Sequence, residues 1–324
     1  MMLGRGAFLI GLVLLGQPSR LEAQQTVRPG RVGILAQDLQ PGLLETMQDE
    51  FRKLGYVEGK TLAIELRSAA GHGDRLPALA RELLDAKVDV MVAVNTPAAR
   101  AAKNATTTVP VIIMRVADPV RSGLVASLAR PGANITGISF MPDALGPKGV
   151  ELMREIMPGL ARMAALYQAD NPGAVLIVDE VVRRGNRLGL TFVRTPVQRP
   201  DDYAAAFEAA AAAGAQALFV MDDGTITAHR REILDLAAGR TLPVVSIYTD
   251  FARAGALLSY GPNLAAVYRR GADYADKLLK GAPPDSLPVE QPNLFELVLN
   301  LRTAKTLGLV IPPSVLARAD DVIQ

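Results

Sequence analysis

The chain has 324 residues, and 35 Lys and Arg against 33 Asp and Glu leave a formal net charge of +2. Its 49% hydrophobic and 21% charged residues are ordinary for a well-packed protein, and its length exceeds what one core usually covers, so two domains are expected. No basic stripe follows the chain as nucleic-acid binding would need, no cysteine provides disulfide or thiol chemistry, and His72 and His229 stand apart from any acidic cluster of metal-ligand spacing.

At the N-terminus Arg5 precedes the apolar run Ala7 to Gly16, which Gln17, Pro18 and Ser19 break before Leu21-Glu-Ala23. This layout predicts a secretory signal peptide over residues 1–23, too short for a membrane span. A polar leader ends at Pro29-Gly30, and Val32 to Ala36 then reads as a strand buried on both faces. Leu43, Met47, Phe51 and Leu54 recur at helical spacing, and Gly55 ends that helix. Leu62, Ile64 and Leu66 alternate as a second strand, and Asp74 is the expected cap of a helix through Leu84.

Val88 to Val94 and Val109 to Met114 follow as strands, with an alanine-rich helix from Ala98 between them and a short helix expected over Ser122 to Ala129. Beta-alpha repetition with a period near 30 residues predicts a parallel, doubly wound sheet. Ile135 to Phe140 leads out of that unit, and a second series begins after a helix from Gly149 to Met157. Its strands are Met163 to Tyr167, Leu190 to Thr195, Ala217 to Val220 and Pro243 to Tyr248, with helices near 175–184, 203–213 and 228–237. In the tail a strand from Ala256 to Tyr260 precedes a helix over Leu264 to Leu279 that Asn263 is placed to cap. A short strand Glu296 to Leu299 and a helix Leu301 to Leu307 then follow. One helix between two extended segments is what a chain needs to visit the first domain and return to the second.

No GxSxG, HExxH, Walker A or strand-following GxGxxG sequence is present. Asp222-Asp223 and Asp320-Asp321 are carboxylate pairs, but adjacent side chains point apart; a loop and a solvated helix end are expected there. The polar residues that recur sit where strands end: Gln37, Asn95, Thr96, Asp118, Gln168, Asp222, Asp223, Tyr248 and Tyr260. In open parallel sheets ligands bind at those ends. Unpaired amides at the helix starts that follow favour a carboxylate, and Asp118 or Asp223 on the facing rim would take an ammonium group, so together they would select a zwitterion.

Five stretches carry a family resemblance: Phe51-Arg-Lys-Leu-Gly-Tyr-Val-Glu-Gly59, Ala117-Asp-Pro-Val120, Leu128-Ala-Arg-Pro-Gly-Ala-Asn-Ile-Thr-Gly137, Leu258-Ser-Tyr-Gly261 and Phe295-Glu-Leu-Val-Leu-Asn-Leu-Arg-Thr-Ala-Lys-Thr-Leu-Gly308. From about Arg31 onward the chain resembles ABC-transporter substrate-binding proteins related to tryptophan- and tyrosine-uptake binding proteins. The resemblance implies an α/β type I periplasmic-binding-protein fold, with two Rossmann-like lobes joined by three crossings. The lobes would be residues 31–137 with 261–288, and 138–260 with 289–324. It implies a ligand held between the lobes near Gln37, Asn95, Thr96, Asp118, Gln168, Asp222, Asp223, Tyr248 and Tyr260.

It further implies no catalysis and no cofactor, a membrane permease and an ATPase as partners, and a monomer in the periplasm. Without a cysteine after the signal region, no lipid anchor is expected. An aromatic or branched amino acid, or a related aromatic acid, is the expected solute. Compared with the family, Asn171-Pro172-Gly173 replaces a longer loop after Tyr167. Two other readings stay open from sequence: a sensory module for a receptor kinase, and a two-domain racemase or hydrolase with paired acids across its cleft.

Overall fold

A computed structural model describes residues 28–38, 41–140, 146–221 and 223–324. The expected signal peptide and Asp222 lie outside the described residues. The first series runs β1 (Gly30–Ala36), α1 (Pro41–Lys53), β2 (Leu62–Ser68), α2 (Leu76–Asp85), β3 (Val90–Val94), α3 (Thr96–Ala105), β4 (Val111–Ala117) and β5 (Ile135–Phe140). These strands form one parallel sheet in the order β2-β1-β3-β4-β5. Every residue of β3 and β4 is buried, which is why their sequences, Arg115 apart, are continuous apolar runs rather than alternating ones.

The second series begins with α4 (Pro147–Ile156), β6 (Arg162–Gln168), α5 (Pro172–Arg187), β7 (Thr191–Val197), α6 (Asp202–Ala212), β8 (Ala217–Met221), α7 (Gly224–Ala228) and α8 (Arg230–Ala238). It continues through β9 (Val244–Ser246), α9 (Thr249–Ala254), β10 (Leu258–Pro262), α10 (Leu264–Leu279), β11 (Phe295–Asn300), α11 (Leu301–Thr306), α12 (Pro313–Leu316) and β12 (Asp321–Ile323). Its sheet has the order β12-β11-β10-β9-β8-β6-β7, parallel except where β10 meets β11.

Helix α10 packs under the first sheet, against α1, β3, β4 and β5, although β10 and β11 on either side of it belong to the second. The chain therefore crosses between sheets three times: after β5, between β10 and α10, and before β11. The result is a two-lobed α/β fold in which the carboxyl ends of both sheets face a shared gap. Prolines in the first turn of α2, α3, α4 and α5 help start these helices, because that turn needs no amide donor and proline presets its φ.

Three local expectations change. Ser122 to Ala129 is a series of turns, because Asp118 Oδ1 takes the Arg121 amide at 3.0 Å and Gly123 adopts φ +69°, so a side chain replaces the helical ladder. Asp74 does not cap α2, since the helix follows directly on a 3-10 turn at Gly73–Arg75 and its cap residue is Arg75. Asp321 starts an edge strand, and Asp320 Oδ2 accepts the Leu297 amide at 2.8 Å, so that pair ties down the sheet instead of ending a helix.

Close backbone approach at the β10 edge yields a stability test. A Cβ added at Gly261 would lie 1.7 Å from the Ile247 carbonyl oxygen, and main chain cannot swing aside. Gly261→Ala should therefore lower unfolding free energy by about 3 kcal/mol. Gly42→Ala in α1, where nothing lies within 4 Å, should raise it by about 0.5 kcal/mol through helix propensity. Urea unfolding midpoints read both.

Candidate functional site

In each lobe the strand order reverses beside a central strand, β1 between β2 and β3, and β6 between β7 and β8. Crevices at such points hold ligands in open α/β sheets. Here the two crevices meet. Asn95, Thr96, Arg115, Ala117 and Phe140 from the first sheet line one chamber with Asn171, Gly173, Ala174, Ile177, Met221, Asp223 and Tyr248 from the second. Its volume is about 20 Å³, room for roughly one water molecule, so in this form it admits nothing larger.

Each rim residue is fixed by the helix it starts. Asn95, at φ +78°, caps α3 by accepting the Ala98 amide at 3.1 Å, while its Nδ2 donates to Gln37 Oε1 at 3.3 Å. Asn171 caps α5, with Oδ1 accepting the Gly173 and Ala174 amides and Nδ2 donating to Asp223 Oδ2 at 3.1 Å. Asp223 caps α7, and its Oδ1 accepts the Thr225 and Ile226 amides at 3.0 and 3.2 Å. The positive ends of α3 and α5 therefore converge on the chamber from opposite lobes.

Arg115 supplies a full positive charge. The register of β4 against β5 slips between Ile113 and Val116, and within this bulge Arg115 takes φ +56°. Its guanidinium lies 4.2 Å from the centroid of the Tyr248 ring, which belongs to the other lobe, and the Phe140 ring stands 6.4 Å from that of Tyr248. A non-glycine residue held in the left-handed region marks a place where packing over-determines the backbone. Behind it, burial raises the pKa of the Tyr268 phenol on α10, opposed by the nearby Arg115.

The lobes also touch directly. Gln37 Nε2 donates to Thr225 Oγ1 at 2.7 Å, and Thr225 Oγ1 donates to the Gly71 carbonyl at 2.7 Å. A Cβ at Gly173 would fall 2.4 Å from Thr96 Oγ1, and one at Gly224 would fall 2.8 Å from Gln37 Cβ, so glycine is what permits this approach.

Of the residues expected from sequence, Asn95, Thr96, Asp223 and Tyr248 come together around the chamber, and Gln37 joins them through Asn95. Asp118 lies apart, its carboxylate accepting the Arg121 amide at 3.0 Å. Gln168 turns toward β7 and donates to the Gln198 carbonyl at 2.8 Å, while Tyr260 stacks on Phe295 with ring centroids 5.9 Å apart. The sequence reading did not single out Arg115, Phe140, Asn171 or Thr225. Arg115 had a signal, as a charge within an otherwise apolar strand, and the short Asn171-Pro172-Gly173 turn brings Asn171 and Gly173 to the chamber. A larger cavity of about 280 Å³ lies between α10 and the crossing before β11, but its charged groups, Arg270 and Glu290, satisfy each other at 2.6 and 2.7 Å. Among the described residues no group of three or more His, Asp or Glu is placed to hold a metal ion, and no helix is long and apolar enough to cross a membrane.

Burial, opposed by the Asn171, Ile226 and Thr225 hydrogen bonds, raises the Asp223 pKa above the ordinary 3.8. The contribution of a raised carboxylate is complete below the unfolded-state pKa and is lost as pH rises through the folded one. The stability of wild type relative to Asp223→Asn should therefore increase on acidification from pH 7 toward pH 4. Urea melts at several pH values would expose the opposite slope if the carboxylate were stabilised as an anion.

The chain matches the family described as ABC transporter substrate binding protein over residues 34–323. It is 24% identical over 269 residues, 83% of this chain and 76% of the relative, to a tyrosine-binding protein of Clostridioides difficile (strain R20291). Among solved structures it is similar to a conserved domain protein from Vibrio cholerae O1 biovar El Tor, with 29% identity and a TM-score of 0.86. That match covers 91% of this chain and 100% of the other. It is also similar to an ABC domain from Streptococcus pneumonia in complex with L-Trp, with 26% identity, a TM-score of 0.85 and coverage of 91% and 100%. These likenesses carry a non-catalytic solute-binding role in ABC import and the type I periplasmic binding architecture. With its strand-end chamber between two such lobes, the chain belongs to the ABC transporter substrate binding protein family.

Proposed function

We propose that this protein is the periplasmic receptor of an ABC importer for an amino acid with an aromatic or branched side chain, or a related aromatic acid. The observation that carries the reading is Arg115: a buried guanidinium stacked on Tyr248 at the seam, with the N-termini of α3 and α5 adding positive potential to the same chamber. That field suits a carboxylate, while Phe140, Ile177, Met221 and Tyr248 offer apolar and aromatic wall to a side chain. The L-Trp bound by the pneumococcal structure and the tyrosine-binding name of the clostridial relative point the same way.

The lobe division at 31–137 with 261–288 and 138–260 with 289–324 sets the crossings as the hinge. Rotation there would admit solute and then remove it from water, where charge-assisted hydrogen bonds strengthen. A permease and an ATPase would receive the loaded form, and residues 1–23 would direct export to the periplasm, where the chain would act as a monomer.

Isothermal titration against the twenty amino acids and a panel of benzoates tests this. Heat is expected for aromatic or branched members, weakened about 30-fold or more by Arg115→Met, since that variant leaves a buried anion unpaired. No heat with any amino acid or benzoate, beside a clear signal for an uncharged solute, would reject it.

A further inference from the structure

Resting on the reading of the solute as an amino acid, we infer that Asp250 determines specificity for its positive charge: Asp250 Oδ2 accepts the ammonium group of a solute whose carboxylate lies on Arg115. The strand-end carboxylates are not equivalent. Asp223 has both oxygens engaged, by two backbone amides and by Asn171. Asp118 accepts the Arg121 amide and faces the Arg121 guanidinium at 3.9 Å. Asp38 has a partner of its own. Asp250 differs, because its Oδ2 is shut off from solvent and has no hydrogen-bond partner among the described residues. A buried carboxylate oxygen without a donor is unfavourable and rare in native proteins, so it marks a place completed by something else.

Its position fits that role. Asp250 lies in the first turn of α9, two residues beyond Tyr248, whose ring carries the Arg115 guanidinium at 4.2 Å. The charges of Arg115, Asp38 and Asp250 all act on the Tyr268 phenol of α10. A guanidinium on β4 and a carboxylate oxygen without a donor at the start of α9 match the α-carboxylate and α-ammonium of an amino acid better than they match a monoanion. Because Arg115 belongs to the first lobe and Asp250 to the second, a zwitterion would bridge the two and favour their closure.

Affinities of the full chain for three pairs test the assignment: L-tyrosine with 3-(4-hydroxyphenyl)propanoate, L-phenylalanine with 3-phenylpropanoate, and L-leucine with 4-methylpentanoate. Wild type should bind at least one amino acid about 100-fold tighter than its des-amino partner. Asp250→Asn, which keeps shape but presents a donor, should weaken the amino acid about 30-fold or more and leave the des-amino acid within about threefold. Asp250→Glu should recover part of the loss, and Asp250→Ser serves if the amide variant does not fold. Retention of the wild-type ratio in the variants, or equal loss for both members of a pair, would overturn Asp250 while leaving the amino-acid reading intact. Wild type binding the des-amino acids as tightly would overturn Asp250 as an ammonium partner while leaving the aromatic-acid reading, and wild type binding none of the six, nor any other amino acid or benzoate, would overturn both.

Discussion

Arg115 carries its charge into the seam between two lobes, where only 9% of its surface meets solvent, and the surrounding groups answer to that burial. A buried guanidinium persists where other groups replace its water. Part of that replacement comes from the face of Tyr248, contributed by the opposite lobe. The helix starts at Thr96 and Pro172, one from each lobe, add potential of the same sign to the chamber. An arrangement of this kind favours an anion over water when the gap narrows.

Among the described residues, the hydrogen bonds that join the lobes are individually small. The Gln37 to Thr225 to Gly71 chain is two hydrogen bonds, worth about 1 kcal/mol each in net terms. Glycines at 173 and 224 allow the surfaces to meet but add no side-chain grip. A weak intrinsic preference suits a receptor, since a ligand shifts an equilibrium only by its differential affinity for the two forms. On the proposed reading, a solute touching residues of both lobes, such as Asn95, Thr96, Arg115, Asp223 and Tyr248, would supply that difference.

The architecture was legible because buried parallel strands write themselves as apolar runs, and Val90–Val94 and residues 111–114 of β4 are such runs. Asn263 was equally legible: it accepts the Ala266 amide at 2.7 Å as the cap of α10. Strand-end position predicted Asn95, Thr96, Asp223 and Tyr248, since the switch points of both sheets lie there. It could not say which way a strand-end side chain turns. Gln168 follows the sheet edge to Gln198, Asp118 closes its own turn, and Tyr260 faces Phe295. Arg115 escaped because the apolar run of β4 carries no mark of its bulge, and the register shift between Ile113 and Val116 sets where the Arg115 side chain goes. The lobe contacts through Thr225 depend on residues 188 positions apart, a pairing that no local pattern records.

Closure of two lobes over a solute is the central claim, and an interlobe distance tests it most directly. Because the natural chain has no cysteine, spin labels placed at Arg75→Cys and Arg231→Cys, both exposed, would be the only ones attached. Pulsed electron–electron resonance should give a broad or longer distance distribution without solute, and a single narrow, shorter one with the tightest-binding amino acid. Identical distributions in the two samples, with binding verified in the same preparation, would contradict the account.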